Sequence, residues 1–270
     1  MELKNKRILI ILMLSGLFAD IDKQVDSIID SLNSIRSRSP ERAIRYAREI
    51  LSNQNYQTNQ LLEAKVYNSL GEVYLKLGLP SLALANFIES AQKSKVKNAP
   101  WNTINIGNVY FMEEKWLLAK EKYLNALDSF RRFDQSKANS INGKSVALSN
   151  LGLIEMHLEN YDDALVYFKE ALSLRRGSAR YKMFQHSKSE LNITYAHACN
   201  SVAHQHGLLA VLYTNWGLND MALEQLQVSD SLLNFINNNN VPKLNRITAQ
   251  AYLGNNHSLR TKILTLLKNY

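Results

Sequence analysis

Four side chains between positions 197 and 206 have the chemistry of metal ligands: His197, Cys199, His204 and His206. Imidazole nitrogen and thiolate sulfur are donors that zinc takes in proteins. On one helix, however, residues two apart diverge by about 200°, and residues seven apart lie ~10.5 Å apart along the axis. Zinc lies only ~2.0–2.3 Å from each ligand, so a break near Asn200 would be needed to bring these groups together. We therefore expect no metal site here, and we expect Cys199 to be a core residue.

Two short motifs have a partial likeness to reactive sites. Gly143-Lys144-Ser145 resembles the end of a phosphate-binding loop, but that loop needs a glycine where Ala138 stands and a preceding strand. We interpret this tripeptide as a turn between helices. Ser90 and Lys93 match Ser-x-x-Lys without its companion motifs, and we interpret them as a helix end that faces water. No further catalytic or nucleotide-binding pattern stands out, so the sequence predicts a protein that is not an enzyme and needs no cofactor.

Basic residues outnumber acidic ones by 32 to 24, which gives a formal net charge of +8. The N-terminal part of the chain carries the densest group: Arg36, Arg38, Arg42, Arg45 and Arg48. Glu41 and Glu49 dilute this charge, and a smaller group follows at Lys93, Lys95 and Lys97. Nucleic-acid binding usually needs a denser basic stripe or a known module. We therefore interpret these residues as solvated helix faces and expect no nucleic-acid partner.

The composition favours an all-α chain. Only 10 glycines and 4 prolines are available for turns, whereas a β-sandwich or barrel needs many turns. Pro40, Pro80, Pro100 and Pro242 all precede helix-like segments, where proline fits the first turn. A single cysteine excludes an intrachain disulfide and a cysteine-rich zinc module.

Residues 1–19 have the three parts of a secretory signal peptide. Lys4, Lys6 and Arg7 form a basic start, and an apolar run from Ile8 to Ala19 follows before the polar body of the chain. This run is too short to span a bilayer stably, since a spanning helix needs about 20 apolar residues. We expect cleavage near Ala19, a periplasmic or secreted product, and no stable membrane insertion after removal. The alternative is an N-terminal helix that packs on the body of a cytoplasmic protein.

One pattern recurs along the rest of the chain. A large apolar residue and a glycine are followed, twelve residues after the glycine, by alanine and, four residues later, by an aromatic residue. The strong copies contain Leu70-Gly71, Ala83 and Phe87; Ile106-Gly107, Ala119 and Tyr123; and Leu151-Gly152, Ala164 and Phe168. A weaker copy contains Ala210, Ala222 and Leu226. Glycine inside a helix costs about 1 kcal/mol relative to alanine, so its recurrence indicates that two helices approach closely there.

These residues resemble the tetratricopeptide repeat, which implies an all-α, right-handed superhelical solenoid of antiparallel helix pairs. The resemblance places repeats at about 63–97, 98–133, 145–178 and 203–236. Residues 20–62 then form a degenerate first pair, and residues 237–270 form one or two capping helices. The repeats are spaced irregularly, so we expect longer helices and connectors around 134–144 and 177–201.

In this family the first helix of each pair lines a concave groove that binds peptides or partner helices. The resemblance assigns these groove positions: Lys65, Asn68, Glu72, Trp101, Asn105, Asn108, Ser149 and Asn150. Asn105 and Asn150 occupy equivalent places, and an amide can donate to and accept from any peptide backbone. The general abundance of asparagine in the chain is an alternative explanation for this pair. The Lys/Asn/Arg set of the family's carboxylate clamp is not reproduced.

Two functions follow from these features. The first is a non-catalytic exported scaffold that binds a peptide or protein, in signalling or envelope assembly, similar to the sensor halves of bacterial tetratricopeptide regulators. The second is a cytoplasmic regulator of the same repeat type that responds to a peptide. Retention or removal of residues 1–19 distinguishes them.

Overall fold

The structure is a computed structural model that describes residues 23–54, 59–94, 100–132, 138–178, 181, 193–238, 241 and 243–268. All regular secondary structure in these ranges is helical, so the predicted all-α class is confirmed. The proposed signal peptide and Pro242 lie outside the described residues. Across the described ranges, no helix combines the length and apolar character needed to cross a bilayer.

The chain divides into two compact units, of which the first spans Met1–Lys115. Its helices are α1 (23–38), α2 (Pro40–Ser52), α3 (Gln60–Lys76), α4 (Pro80–Lys93) and α5 (Pro100–Met112). Helix α3 packs against α2 on one side and α4 on the other, and α4 also contacts α5. Proline begins α2, α4 and α5, as the sequence predicts, because its fixed φ suits the first turn and its missing N–H is not needed there.

The second unit spans Trp116–Tyr270. Its described helices are α6 (Trp116–Arg132), α7 (Ala138–His157), α8 (Tyr161–Gly177), α9 (Ile193–Asn215), α10 (Asn219–Asn238) and α11 (Lys243–Lys268). Helix α7 packs between α6 and α8, and α9 contacts α8, α10 and α11. The predicted lengthening around 134–144 and 177–201 is found in the long helices α7 and α9, and one long helix, α11, closes the chain.

The recurring glycines admit aromatic rings. A Cβ atom added to Gly152 would lie 2.6 Å from Phe168 of the paired helix, and one added to Gly71 would overlap Phe87 in the same way. Both rings are fully buried, and Ala83 and Ala164 are buried one turn before them. The close approach inferred from the repeat is therefore present in both units.

Two interpretations of short motifs are wrong. Gly143-Lys144-Ser145 is not a turn, since it lies inside helix α7. A glycine stands at position 143 because the ring of Phe130 leaves no room for a Cβ atom there. Ser90 does not face water, since only 2% of it is exposed. The sequence does not distinguish a glycine that makes room for an aromatic ring from a glycine that allows a turn. It also does not distinguish a buried serine from an exposed one.

Buried hydroxyls link successive helix pairs. Ser90 of α4 donates to the carbonyl of Ala64 at 2.7 Å and accepts from the amide nitrogen of Asn102 in α5 at 3.0 Å. Ser229 of α10 donates to the carbonyl of Ala203 at 2.9 Å and accepts from Asn256 of α11 at 2.8 Å. One serine therefore bonds its own pair and the next one at both places.

Four turns share one backbone pattern. Within each turn an N–H donates to the carbonyl five residues earlier: Leu79 to Tyr74, Lys115 to Tyr110, Asn160 to Glu155, and Leu218 to Tyr213, at 2.8–2.9 Å. The residue before the donor is left-handed in each, with φ of 73° and 80° at Gly78 and Gly217 and 58° and 61° at Glu114 and Glu159. This bond ends the preceding helix by satisfying one of its last carbonyls.

Candidate functional site

A row of polar side chains connects α1, α3 and α5 in the first unit; we call it the polar row. It consists of Arg36, Glu72, Asn68 and Asn105. The amide nitrogen of Asn105 donates to the side-chain oxygen of Asn68 at 2.9 Å, and the amide nitrogen of Asn68 donates to a carboxylate oxygen of Glu72 at 2.8 Å. Glu72 also forms an ion pair with Arg36. The row therefore joins three successive first helices.

Helical geometry explains why these groups meet. Asn68 and Glu72 are four residues apart and so share one face of α3, while Val66, Leu70 and Val73 are buried in the core. Partial burial lowers the pKa of Arg36, but the pair with Glu72 remains accessible because 27% and 36% of the two side chains are exposed. The row is thus a half-buried polar strip over an apolar core.

The row leaves hydrogen-bonding capacity on Asn105. Within the described residues, the bond to Asn68 is the one hydrogen bond made by the Asn105 side chain. Its carbonyl oxygen and one amide hydrogen remain for another molecule. Because Asn68 is in turn held by Glu72, the orientation of the Asn105 amide is set before a ligand arrives.

Other predicted groove residues of the first unit flank the row. Lys65 forms an ion pair with Asp26 at 2.7 Å, with 38% and 67% of the side chains exposed. Such exposed pairs contribute little to stability, about 0–1 kcal/mol, so this pair can open to a ligand at small cost. Trp101 and Asn108 are half-buried on α5, the helix that carries Asn105.

The two predicted groove residues of the second unit have interior contacts. Ser149 is 5% exposed, and its single O–H is shared between the backbone carbonyl oxygen of Ser145 at 2.8 Å and the side-chain oxygen of Gln205 at 2.7 Å. Its hydroxyl therefore belongs to the packing of α7 on α9. Asn150 is half-buried and hydrogen-bonds Tyr123 of α6, a phenol whose pKa is raised by burial. Asn105 and Asn150, equivalent in sequence, therefore differ in partner.

A half-buried cluster around Arg175 in the second unit was not expected from the sequence. Burial lowers the pKa of Arg175 to about 10, and its guanidinium lies 3.5 Å from the hydroxyl of Ser149 and 3.4 Å from the carbonyl of Ser201. Burial and the nearby Arg175 lower the pKa of His204 to about 4, and His204 stacks on Tyr252 with ring centroids 4.7 Å apart. In the sequence Arg175 resembles an ordinary cation near a helix C-terminus, so no sequence signal indicates that it is half-buried.

A metal site at His197, Cys199, His204 and His206 would need a break near Asn200, and that break is not present. Helix α9 runs through residue 200 without interruption. Cys199 is a core residue, as predicted, and burial raises its pKa to about 12. Among the described residues, no group of three or more histidine, cysteine or acidic side chains is placed to hold a metal ion.

Comparisons with known proteins agree with this architecture. Residues 145–185 match the sequence profile of the tetratricopeptide repeat. A putative kinesin light chain from Podosopora anserina with nearly identical TPR-like repeats superposes with a TM-score of 0.52 at 10% identity, over 77% of this chain and 94% of that one. At this identity the likeness shows the fold alone.

Two further solved structures are less similar. MamA gives a TM-score of 0.44 at 17% identity, over 74% of this chain and 93% of that one. PilF of Pseudomonas aeruginosa gives 0.46 at 16% identity, over 78% and 92%. No curated protein sequence matches the chain.

Proposed function

We propose that this tetratricopeptide-repeat protein is a non-catalytic scaffold that binds an extended peptide or protein segment along the polar row. The observation that carries the proposal is the oriented amide of Asn105, held by Asn68 and Glu72 with bonding capacity left over. The tetratricopeptide match and the helical-repeat fold support a protein partner in general. The polar row is the surface at which we propose that this partner binds.

The chemistry of the row suits a main chain rather than one particular side chain. An extended peptide presents one N–H and one C=O per residue, and an asparagine side chain can bond both. Lys65 beside the row can take a carboxylate of the ligand after release from Asp26. Affinity for a short peptide should be modest, because ordering each side chain costs ~0.5–1.5 kcal/mol.

Peptide selection tests this assignment. The protein is used to select binders from an unbiased library of displayed peptides, and the strongest binder is synthesised, labelled and titrated by fluorescence anisotropy. Loss of one or two hydrogen bonds in Asn105→Ala should weaken binding about 5- to 10-fold.

Asn86→Ala is the matched control. Asn86 lies on α4 of the same unit, outside the polar row, and its amide bonds the backbone of its own helix. Binding by this variant should stay within about twofold of the wild type. Equal affinities for Asn105→Ala and the wild type, with unchanged circular dichroism, would refute the assignment to the polar row.

We also propose that the protein is exported and that residues 1–19 are its signal peptide. The basic start and the short apolar run support this proposal. Expression in a Gram-negative host, cell fractionation and intact-mass measurement test it, with a variant lacking residues 2–19 as the cytoplasmic control. A periplasmic product that begins near Asp20 is expected. A full-length product that fractionates with the control would instead favour the cytoplasmic regulator, and it would leave the peptide-binding test unaffected.

A further inference from the structure

A cavity lies where the end of α1 meets α2 in the first unit. Its volume is about 360 Å³, and its lining includes Arg38 of α1 together with Arg42 and Arg45 of α2. Ile35 and Tyr46 add apolar surface, and Glu49 is the one carboxylate among the lining residues. This volume is near the lower end of the range found for small-molecule sites, about 300–1,000 Å³.

The three lining arginines outnumber the one lining carboxylate, that of Glu49, so the cavity has a net positive charge. None of them forms an ion pair in the described part of the chain, whereas Arg36, on the same helix as Arg38, is paired with Glu72. Arg42 and Arg45 are three residues apart on α2, so their like charges repel each other on one helix face. A bound anion would remove that repulsion.

We propose that this cavity binds a small organic phosphate that carries at least two negative charges. One guanidinium group can donate two parallel hydrogen bonds to two oxygens of a phosphate. Three guanidinium groups therefore fit a ligand with several phosphate oxygens better than a ligand with a single carboxylate. Ile35 and the ring of Tyr46 give the organic part of the ligand an apolar surface. The residues that line this cavity do not include those of the polar row, so the two sites are distinct.

Calorimetric titration of the full chain tests the proposal. The probes are adenosine diphosphate, inorganic pyrophosphate and adenosine, each at one fixed ionic strength of about 0.15 M so that general screening is constant. Saturable binding of adenosine diphosphate with one site per chain is expected. Pyrophosphate should bind more weakly, because it has no organic part to contact Ile35 and Tyr46. Adenosine should give no measurable binding, because it lacks the negative charge that provides the main attraction.

Charge-matched variants locate the site. Arg42→Gln and Arg45→Gln should each weaken adenosine diphosphate binding about tenfold or more, since each loses a charge-assisted phosphate contact. Arg48→Gln is the control: Arg48 is an exposed arginine of α2 that does not line the cavity, and its loss should change affinity less than about twofold. These side chains lie at the cavity and on the surface, and circular dichroism of each variant checks that the fold is retained.

Three results would overturn the proposal. The first is the absence of saturable heat with both adenosine diphosphate and pyrophosphate. The second is an equal loss for Arg48→Gln and Arg42→Gln, which would indicate a diffuse basic surface. The third is tighter binding of a duplex oligonucleotide than of adenosine diphosphate, with all three variants weakened alike, which would indicate a nucleic-acid surface.

Discussion

Replacing Ser90 with alanine should destabilise the first unit far more than its size suggests. The Ser90 side chain is 2% exposed, its hydroxyl donates to the carbonyl of Ala64, and it accepts from the amide of Asn102. Asn102 is itself 7% exposed, and Ser90 is its one side-chain hydrogen-bond partner among the described residues. The substitution therefore leaves a buried amide without that partner.

The substitution removes two hydrogen bonds, the one to the carbonyl of Ala64 and the one from the amide of Asn102. A buried polar group without a partner costs about 1–3 kcal/mol, so we expect the free energy of unfolding to fall by about 2 kcal/mol. In the second unit, Ala126 and Ala147 take the corresponding places in the repeat, and both are fully buried. The interface can therefore be built without either polar group. Ser90→Ala combined with Asn102→Ala should cost less than the two single changes summed, by about 1 kcal/mol.

Urea unfolding followed by far-ultraviolet circular dichroism measures these differences in the free energy of unfolding. Ser31→Ala is the control, because Ser31 is an exposed serine of α1 that bonds the carbonyl of its own helix. It should change stability by less than about 0.5 kcal/mol. A similarly small effect of Ser90→Ala, or strict additivity in the double variant, would show that the serine–asparagine bond does not stabilise the interface.

Three further predictions concern single sites. Gly152→Ala should lower the free energy of unfolding, measured in urea, by about 1–3 kcal/mol, because the added Cβ meets the buried ring of Phe168. Gly254→Ala on α11, where the added Cβ meets open space, should raise that free energy by up to about 1 kcal/mol. Equal changes in the two variants would refute the packing argument. Cys199 should resist a thiol reagent at pH 8 in the native protein and react only with unfolding, since burial raises its pKa to about 12; rapid labelling would contradict its placement. The native pKa of His204, about 4, lies below its ordinary value of 6.5, so the unfolded chain binds the proton first and the free energy of unfolding should fall as the pH drops from about 6.5 to 4. Acid titration of His204→Phe should show a shallower fall of stability with pH. The same dependence of stability on pH in this variant and the wild type would refute the role of His204.

Close packing could be predicted from the sequence, because it restricts residue size at fixed spacing. Gly71 and Gly152 face rings on the paired helix, as their register indicates. Gly143 was misassigned, since its reason for being small is the ring of Phe130, which comes from a different helix pair and outside the repeat pattern.

Polar partners could not be predicted in the same way. Helical spacing correctly groups Asn68 with Glu72, because four residues along a helix bring two side chains together. Asn105 and Asn150 have the same register, yet one bonds Asn68 and the other Tyr123. A side-chain hydrogen bond depends on which residue of the neighbouring helix lies opposite, and the position of a residue within its own repeat does not specify that neighbour.

The four turns that share one hydrogen-bond pattern have the same length, at residues 77–79, 113–115, 158–160 and 216–218. Other segments between described helices differ in length, from the single residue between α1 and α2 to the seven residues between α2 and α3. A duplication or deletion whose ends both fall in the variable segments would preserve every turn, while one that cuts a turn would not. Each of the four turns therefore lies inside a two-helix module, α3–α4, α5–α6, α7–α8 or α9–α10, and the segments of variable length lie outside these modules.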